Sequence, residues 1–210
     1  MDTKEIEILF RNSDFAAVIK PVGTLSEGAD GDMVSLLEKQ LSSKVYPVHR
    51  LDRAVGGVMI YALKKESAAA FSKLMENGGF GKEYLTVVHG ECEPSGVLED
   101  LLFKDSRLNK SFVVKRERKG VRRASLEYER LVFDGEKSLV RVKLHTGRSH
   151  QIRVQFSSRK MALYGDGKYG GSDNCNIALW SHRISFTLDK KEYTFEKEMP
   201  DVYPFSEFDL

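Results

Sequence analysis

Cysteine is nearly absent: Cys92 and Cys175 are the two in 210 residues. That excludes a disulfide framework, and the pair has no spacing that would hold zinc. A chain of this length can bury a core without such staples, so the expected setting is reducing and the expected location cytoplasmic. No apolar run approaches the roughly 20 residues of a bilayer-spanning helix, which removes support for a membrane role. The opening stretch Met1 to Phe10 alternates acidic and apolar residues and lacks the basic start and apolar run of a secretory signal. It is read as part of the fold. Internal repeats, low-complexity tracts and long linkers are lacking too, and residues 1–210 are expected to form a single α+β domain.

Strong charge of one sign is also missing. The formal net charge is +2, too close to neutral to indicate a nucleic-acid partner, so the distribution of charge carries the information. Lys110, Lys115, Arg116, Arg118, Lys119, Arg122 and Arg123 lie in one stretch with Glu117 as the only acid among them. Either this stretch contacts phosphate or it is a solvated hairpin tip.

Periodicity supplies the elements. Phe15 to Ile19 reads as a strand ended by Lys20-Pro21-Val22-Gly23, where proline and glycine favour a turn. Met33, Leu36, Leu37 and Leu41 recur at helical spacing behind Asp30 and Asp32, either of which could cap. A second helix is expected over about Glu66 to Glu76, with Ala70, Phe71, Leu74 and Met75 on one side and Asn77-Gly78-Gly79 as its C-cap. Strands are expected at Glu83 to His89, and at Ser125 to Phe133 and Ser138 to Leu144 around the hairpin signal Asp134-Gly135. Helical character returns near Ser149 to Arg159, and Ile184 to Leu188 with Glu192 to Phe195 suggests a last hairpin.

Two segments set polar groups among apolar ones: His49-Arg50-Leu51-Asp52-Arg53 ahead of Val58 to Leu63, and Thr146-Gly147-Arg148-Ser149-His150-Gln151-Ile152-Arg153. Singly, each could be a structural ion-pair cluster. Together they resemble the RluA-type pseudouridine synthases, whose signature aspartate stands in a His-Arg-Leu-Asp run. The resemblance covers nearly the whole chain. Lys20 to Gly23 is similar to the family's Lys-Pro-x-Gly opening, Lys82-Glu83-Tyr84 to its Lys-x-Tyr strand, and Gly165-Asp166 with Tyr169-Gly170 to its Gly-Asp-x-x-Tyr-Gly loop. Five separated matches in the family's order are far more specific than any one.

The resemblance implies a mixed, mainly antiparallel sheet in two joined lobes with peripheral helices and a central RNA-binding cleft. It further implies an isomerase that converts uridine to pseudouridine in ribosomal or transfer RNA. Asp52 would be the nucleophile, attacking base or ribose or acting through a transient sugar alkene. Arg153, three residues beyond the motif histidine, would be the guanidinium that keeps Asp52 ionised. Tyr84 would stack on the uracil flipped out of the RNA, although a strand tyrosine is also an ordinary core residue. Arg50 would fill the gap or hold a phosphate. Arg148 would contact phosphate or support the turn, and His150, Arg122 and Arg123 are further RNA contacts. Gly56 and Gly57 either let RNA backbone approach or form a bulge. Gly165-Asp166-Gly167 is read only as a tight turn. The matches begin near the N-terminus, so no separate N-terminal RNA-binding domain is expected, and the protein is read as a monomer without metal or other cofactor.

The sequence departs from the family pattern at Val55-Gly56, where Thr-Ser is usual, at Gln155 for a common histidine and at Ala162 for a proline. Three other readings compete. An RNA-binding protein that lost catalysis would not need Asp52, Tyr84 and Arg153 together. A hydrolytic nucleosidase usually pairs two carboxylates, whereas arginines flank Asp52. A metal enzyme would need a ligand spacing that His49, His89, His145, His150 and His182 do not provide.

Overall fold

Of the two aspartates ahead of the first helix, Asp32 is the cap. In the computed structural model, which describes residues 5–208, its carboxylate accepts the Ser35 N–H at 2.8 Å and opens α1 (Met33–Leu41). Helix α1 buries Met33, Leu37 and Leu41, the one-face pattern that the spacing requires. Helix α2 (Lys65–Glu76) buries Phe71. It ends in a Schellman turn: Gly78 N–H donates to the Met75 carbonyl and Gly79 N–H to that of Leu74. Gly78 takes φ +72° to close that turn. Of the opening segment, residues 1–4 lie outside the described residues, and Ile8–Arg11 forms strand β1.

The remaining strands are β2 (Phe15–Lys20), β3 (Tyr46–Pro47), β4 (Gly56–Ala62), β5 (Phe80–His89), β6 (Ser95–Asp105), β7 (Lys110–Val114), β8 (Val121–Phe133), β9 (Lys137–Leu144), β10 (Leu179–Leu188) and β11 (Lys191–Glu196). Helix α3 (Gln151–Ser157) lies between β9 and β10 in sequence, and a short 3-10 turn (Phe205–Glu207) ends the described chain. The chain divides into two compact units. The first takes the described residues up to Lys82 together with Ser181–Glu198, and the second takes Glu83–Trp180 and the described residues from Met199.

In the first unit the strand order is β1-β2-β4-β10, with β3 on β4 and β11 on β10. Strands β2 and β4 are buried along their whole lengths and pair antiparallel from Phe15↔Ala62 to Lys20↔Gly57. Rings fill the space beside them. Phe71 of α2 meets Phe15 and Phe186 edge to face, at 5.5 and 5.0 Å between centroids, contacts worth about 0.5–1.5 kcal/mol each beyond their buried area.

In the second unit the order is β5-β9-β8-β6-β7, antiparallel throughout. Asp134 and Gly135 do turn β8 into β9, the Asp134 carboxylate accepting the N–H groups of Glu136 and Lys137. Along β9 the sequence alternates Val140, Val142 and Leu144 with Arg141 and Lys143, and burial follows that alternation from Val140 to Lys143, whereas the start of the strand, Lys137 to Leu139, is buried without interruption. The basic stretch differs from its expected shape. Strand β7 pairs with one side of β6 and β8 with the other, so residues 115–120 cross over β6 instead of forming a hairpin tip. They remain exposed.

Candidate active site

The aspartate loop is built within the first unit. Leu51 is buried, and both its backbone groups bind one hydroxyl: Ser26 Oγ donates to the Leu51 carbonyl at 2.9 Å and accepts its N–H at 3.1 Å. On the other flank the Lys20 ammonium, with no exposed surface, donates to the carbonyls of Val55 (2.6 Å), Pro21 (3.0 Å) and Arg53 (3.3 Å). Gly23 N–H donates to the Arg53 carbonyl, and the Arg53 side chain donates back to the Gly23 carbonyl. Val55 N–H closes a turn on the Asp52 carbonyl at 2.9 Å. The Lys-Pro-x-Gly segment thus holds residues 53–55 and Ser26 holds residue 51, while Asp52 itself stays partly exposed.

Burial pulls the Lys20 ammonium down to about 8, with the Asp52 charge acting in the opposite direction. His49 is held down to about 3 by burial and by the positive charge of Lys82. It is therefore a neutral ring whose Nε2 accepts the Ile60 N–H at 3.2 Å, a strut between the motif and β4 rather than a proton carrier. Arg50 extends outward, its Nε 3.5 Å from Glu27.

Glycines 56 and 57 correct the reading that made room for RNA. Both are buried in β4. Gly57 has φ +116°, and a Cβ there would overlap the backbone of Ser181 in β10. Its small size serves the approach of two strands.

The second unit carries the other predicted residues. Tyr84 lies in β5 opposite Val142 and is 6% exposed. Gln151 fixes the turn before α3, its Oε1 accepting from Thr146 Oγ1 (2.7 Å) and the Arg148 N–H (3.0 Å) and its Nε2 donating to the Ser125 carbonyl (3.1 Å). Arg148 Nε donates to the Arg123 carbonyl, so this residue supports the turn with its side chain still exposed. His150 precedes α3 with φ +54°, and its Nδ1 lies 2.9 Å from the Tyr169 hydroxyl. Arg153 is almost fully buried, and its guanidinium makes a two-pronged pair with Asp166: Nε to Oδ2 and Nη2 to Oδ1, both 2.7 Å. The Tyr169 ring lies 5.1 Å from that guanidinium. Gln155, where the family often has histidine, ties α3 to β6 through the Leu98 carbonyl and the Asp100 carboxylate.

Arg122 and Arg123 are exposed on β8, and Arg123 is bridged by Glu117 at 2.8 Å. Arg118 covers Phe103 at 4.7 Å. Sequence reasoning missed Ser26 and the hold that Lys20 and Asp166 exert. Lys20 and Asp166 stand inside family motifs, which was their signal; Ser26 had none. Among the described residues no group of three or more His, Cys, Asp or Glu could hold a metal ion, and no helix is long and apolar enough to cross a membrane.

Residues 14–158 match the RNA pseudouridylate synthase family. The chain is 29% identical over 209 residues to the ribosomal large subunit pseudouridine synthase D of Borreliella burgdorferi, covering 91% of this chain and 64% of that protein's length. It is likewise 29% identical over 181 residues to the tRNA pseudouridine synthase C of Haemophilus ducreyi, covering 79% of this chain and 74% of that one. The solved structure of human RNA Pseudouridylate Synthase Domain Containing 1 superposes with a TM-score of 0.84 at 20% identity, over 96% of this chain and 86% of that one, a likeness of fold. Because the family match runs through most of the chain and takes in the aspartate loop, the tyrosine strand and the arginine helix, this protein belongs to the RNA pseudouridylate synthases.

Proposed function

We propose that this chain isomerises uridine to pseudouridine in RNA with the Asp52 carboxylate as nucleophile. The observation that carries the reading is the Asp52 loop. Its flanking backbone is tied down by the buried Lys20 and Ser26 while the acid stays partly exposed. A nucleophile presented this way keeps its position at little entropic cost when substrate arrives. In the reaction the N1–C1′ bond breaks, the uracil turns, a C5–C1′ bond forms, the C5 proton leaves to solvent, and N1 takes up a proton in its place. The carboxylate is regenerated, so the balance needs no oxidant, reductant or co-substrate.

Tyr84 is proposed to stack on the uracil, and Arg153 to supply positive charge during the reaction. Arg50, Arg148, His150, Arg122 and Arg123 are the proposed RNA contacts. Relatives named for ribosomal RNA and for transfer RNA match to similar degrees, and the substrate proposed here is a uridine in one of these two. The unbonded state of Cys92 and Cys175 supports a reducing, cytoplasmic setting, where the protein acts as a monomer.

The test is release of tritium from RNA labelled at uracil C5. Wild-type protein should release label, and Asp52→Asn should lose at least about 1,000-fold in rate, as expected when a nucleophile is removed. Equal release by both would sink the assignment of Asp52, and free uracil among the products would point to a hydrolase.

A further inference from the structure

We infer that Asp166 is the positioning residue for Arg153, and that the 165–171 loop exists to hold that guanidinium in one orientation. The inference rests on the proposed catalytic role of Arg153. It begins with the geometry of the pair. Both contacts are 2.7 Å and reach different oxygens of the carboxylate, the Asp166 side chain has no exposed surface, and that of Arg153 is 10% exposed. A two-pronged pair fixes the guanidinium plane as well as its position, which a single contact does not.

The carboxylate is itself held. Asp166 N–H donates to the Leu163 carbonyl, and the Asp166 carbonyl accepts the N–H groups of Tyr169 and Gly171. Side chains at Gly165 or Gly171 would overlap the backbone at Asn176 and Leu163, so the loop closes this tightly only with glycine at both places. Tyr169 then lies over the guanidinium. Its hydroxyl accepts the Ser111 N–H at 2.8 Å and donates to the Ser111 carbonyl at 3.2 Å, with His150 Nδ1 2.9 Å away. The Gly-Asp-x-x-Tyr-Gly pattern, read from sequence as a turn alone, is a clamp on Arg153 whose far end is fastened to β7.

Burying an arginine and a carboxylate is costly, and a hydrophobic pair of like volume is often no less stable. Stability alone is therefore a weak reason for this pair, whereas a reacting group misplaced by about 1 Å can lose on the order of 100-fold in rate. The two roles separate with Asp166→Asn and Asp166→Glu. Asparagine keeps the shape and removes the charge. Glutamate keeps the charge but displaces the oxygens by one methylene, and preserves folding should the asparagine variant fail to fold.

The expected result is that Asp166→Glu retains a thermal midpoint near wild type while kcat falls about tenfold or more and KM for RNA changes less than about threefold. In an Arg153→Ala background neither Asp166 substitution should lower kcat further. Recovery of both midpoint and kcat by glutamate, with Arg153→Ala strongly impaired, would overturn the inference and leave the pair structural. Full kcat in Arg153→Ala would instead overturn the catalytic reading of Arg153, and the inference with it, a distinct outcome.

Discussion

Lys20 shows how much one buried cation can organise. Its three carbonyl partners include those of Arg53 and Val55, just beyond Asp52, and burial pulls the ammonium from 10.5 down to about 8. Below pH 8 the folded protein carries the charge and the full cost of hiding it. Between about 8 and 10.5 the folded state gives up its proton while the unfolded state keeps it, so this group's contribution to stability improves as pH rises. The loop meanwhile loses a donor, because a neutral amine offers two hydrogens in place of three. Single-turnover rates should therefore fall as pH passes 8 without a matching loss of thermal stability from this residue. Lys20→Met should lower kcat about tenfold or more at every pH and remove that limb. A limb near pH 8 that persists in the variant would assign it to another group. Nothing in the turn signal of Lys20-Pro21-Val22-Gly23 announces this role, since the partners that give it lie some 33 to 35 positions along the chain.

Elements governed by neighbours in sequence were the legible ones. The cap of α1, the double-glycine stop of α2, the Asp134 turn and the β10–β11 hairpin all follow from residues within a few positions of each other. What was illegible depended on which strands lie side by side. The basic stretch crosses β6 because β7 and β8 flank that strand, a choice made by the sheet and invisible in local composition. Gly57 is the same lesson at one position: its demand for a missing side chain comes from Ser181, far along the chain. Gly57→Ala should cost roughly 2–5 kcal/mol in urea unfolding, from overpacking together with an unfavourable φ. The fraction that remains folded should bind RNA normally. Selective loss of RNA affinity with stability intact would restore the idea that the glycine makes way for nucleic acid.

Across the whole molecule, net charge says little and placement says more. The exposed cations of residues 115–123 sit on the crossover and on β8, and the Arg123–Glu117 bridge is so open that salt and water screen it. Reversing Arg122 and Arg123 to glutamate should reduce the slope of log affinity against log salt by about 0.7–0.9 for each phosphate no longer neutralised, depending on whether the bound RNA is single- or double-stranded. An unchanged slope in filter-binding titrations would assign the phosphates to other cations. Family membership and overall class were readable from five spaced motifs, whereas the place where the chain passes between its two units was not, because it leaves the first unit at Lys82 and re-enters it at Ser181. That return path sets a schedule for biosynthesis. Strand β4 is translated early and can pair at once with β2, yet its neighbour on the other edge, β10, arrives only after nearly all of residues 83–180 have emerged, so one edge of an early-made strand stays open until late in synthesis.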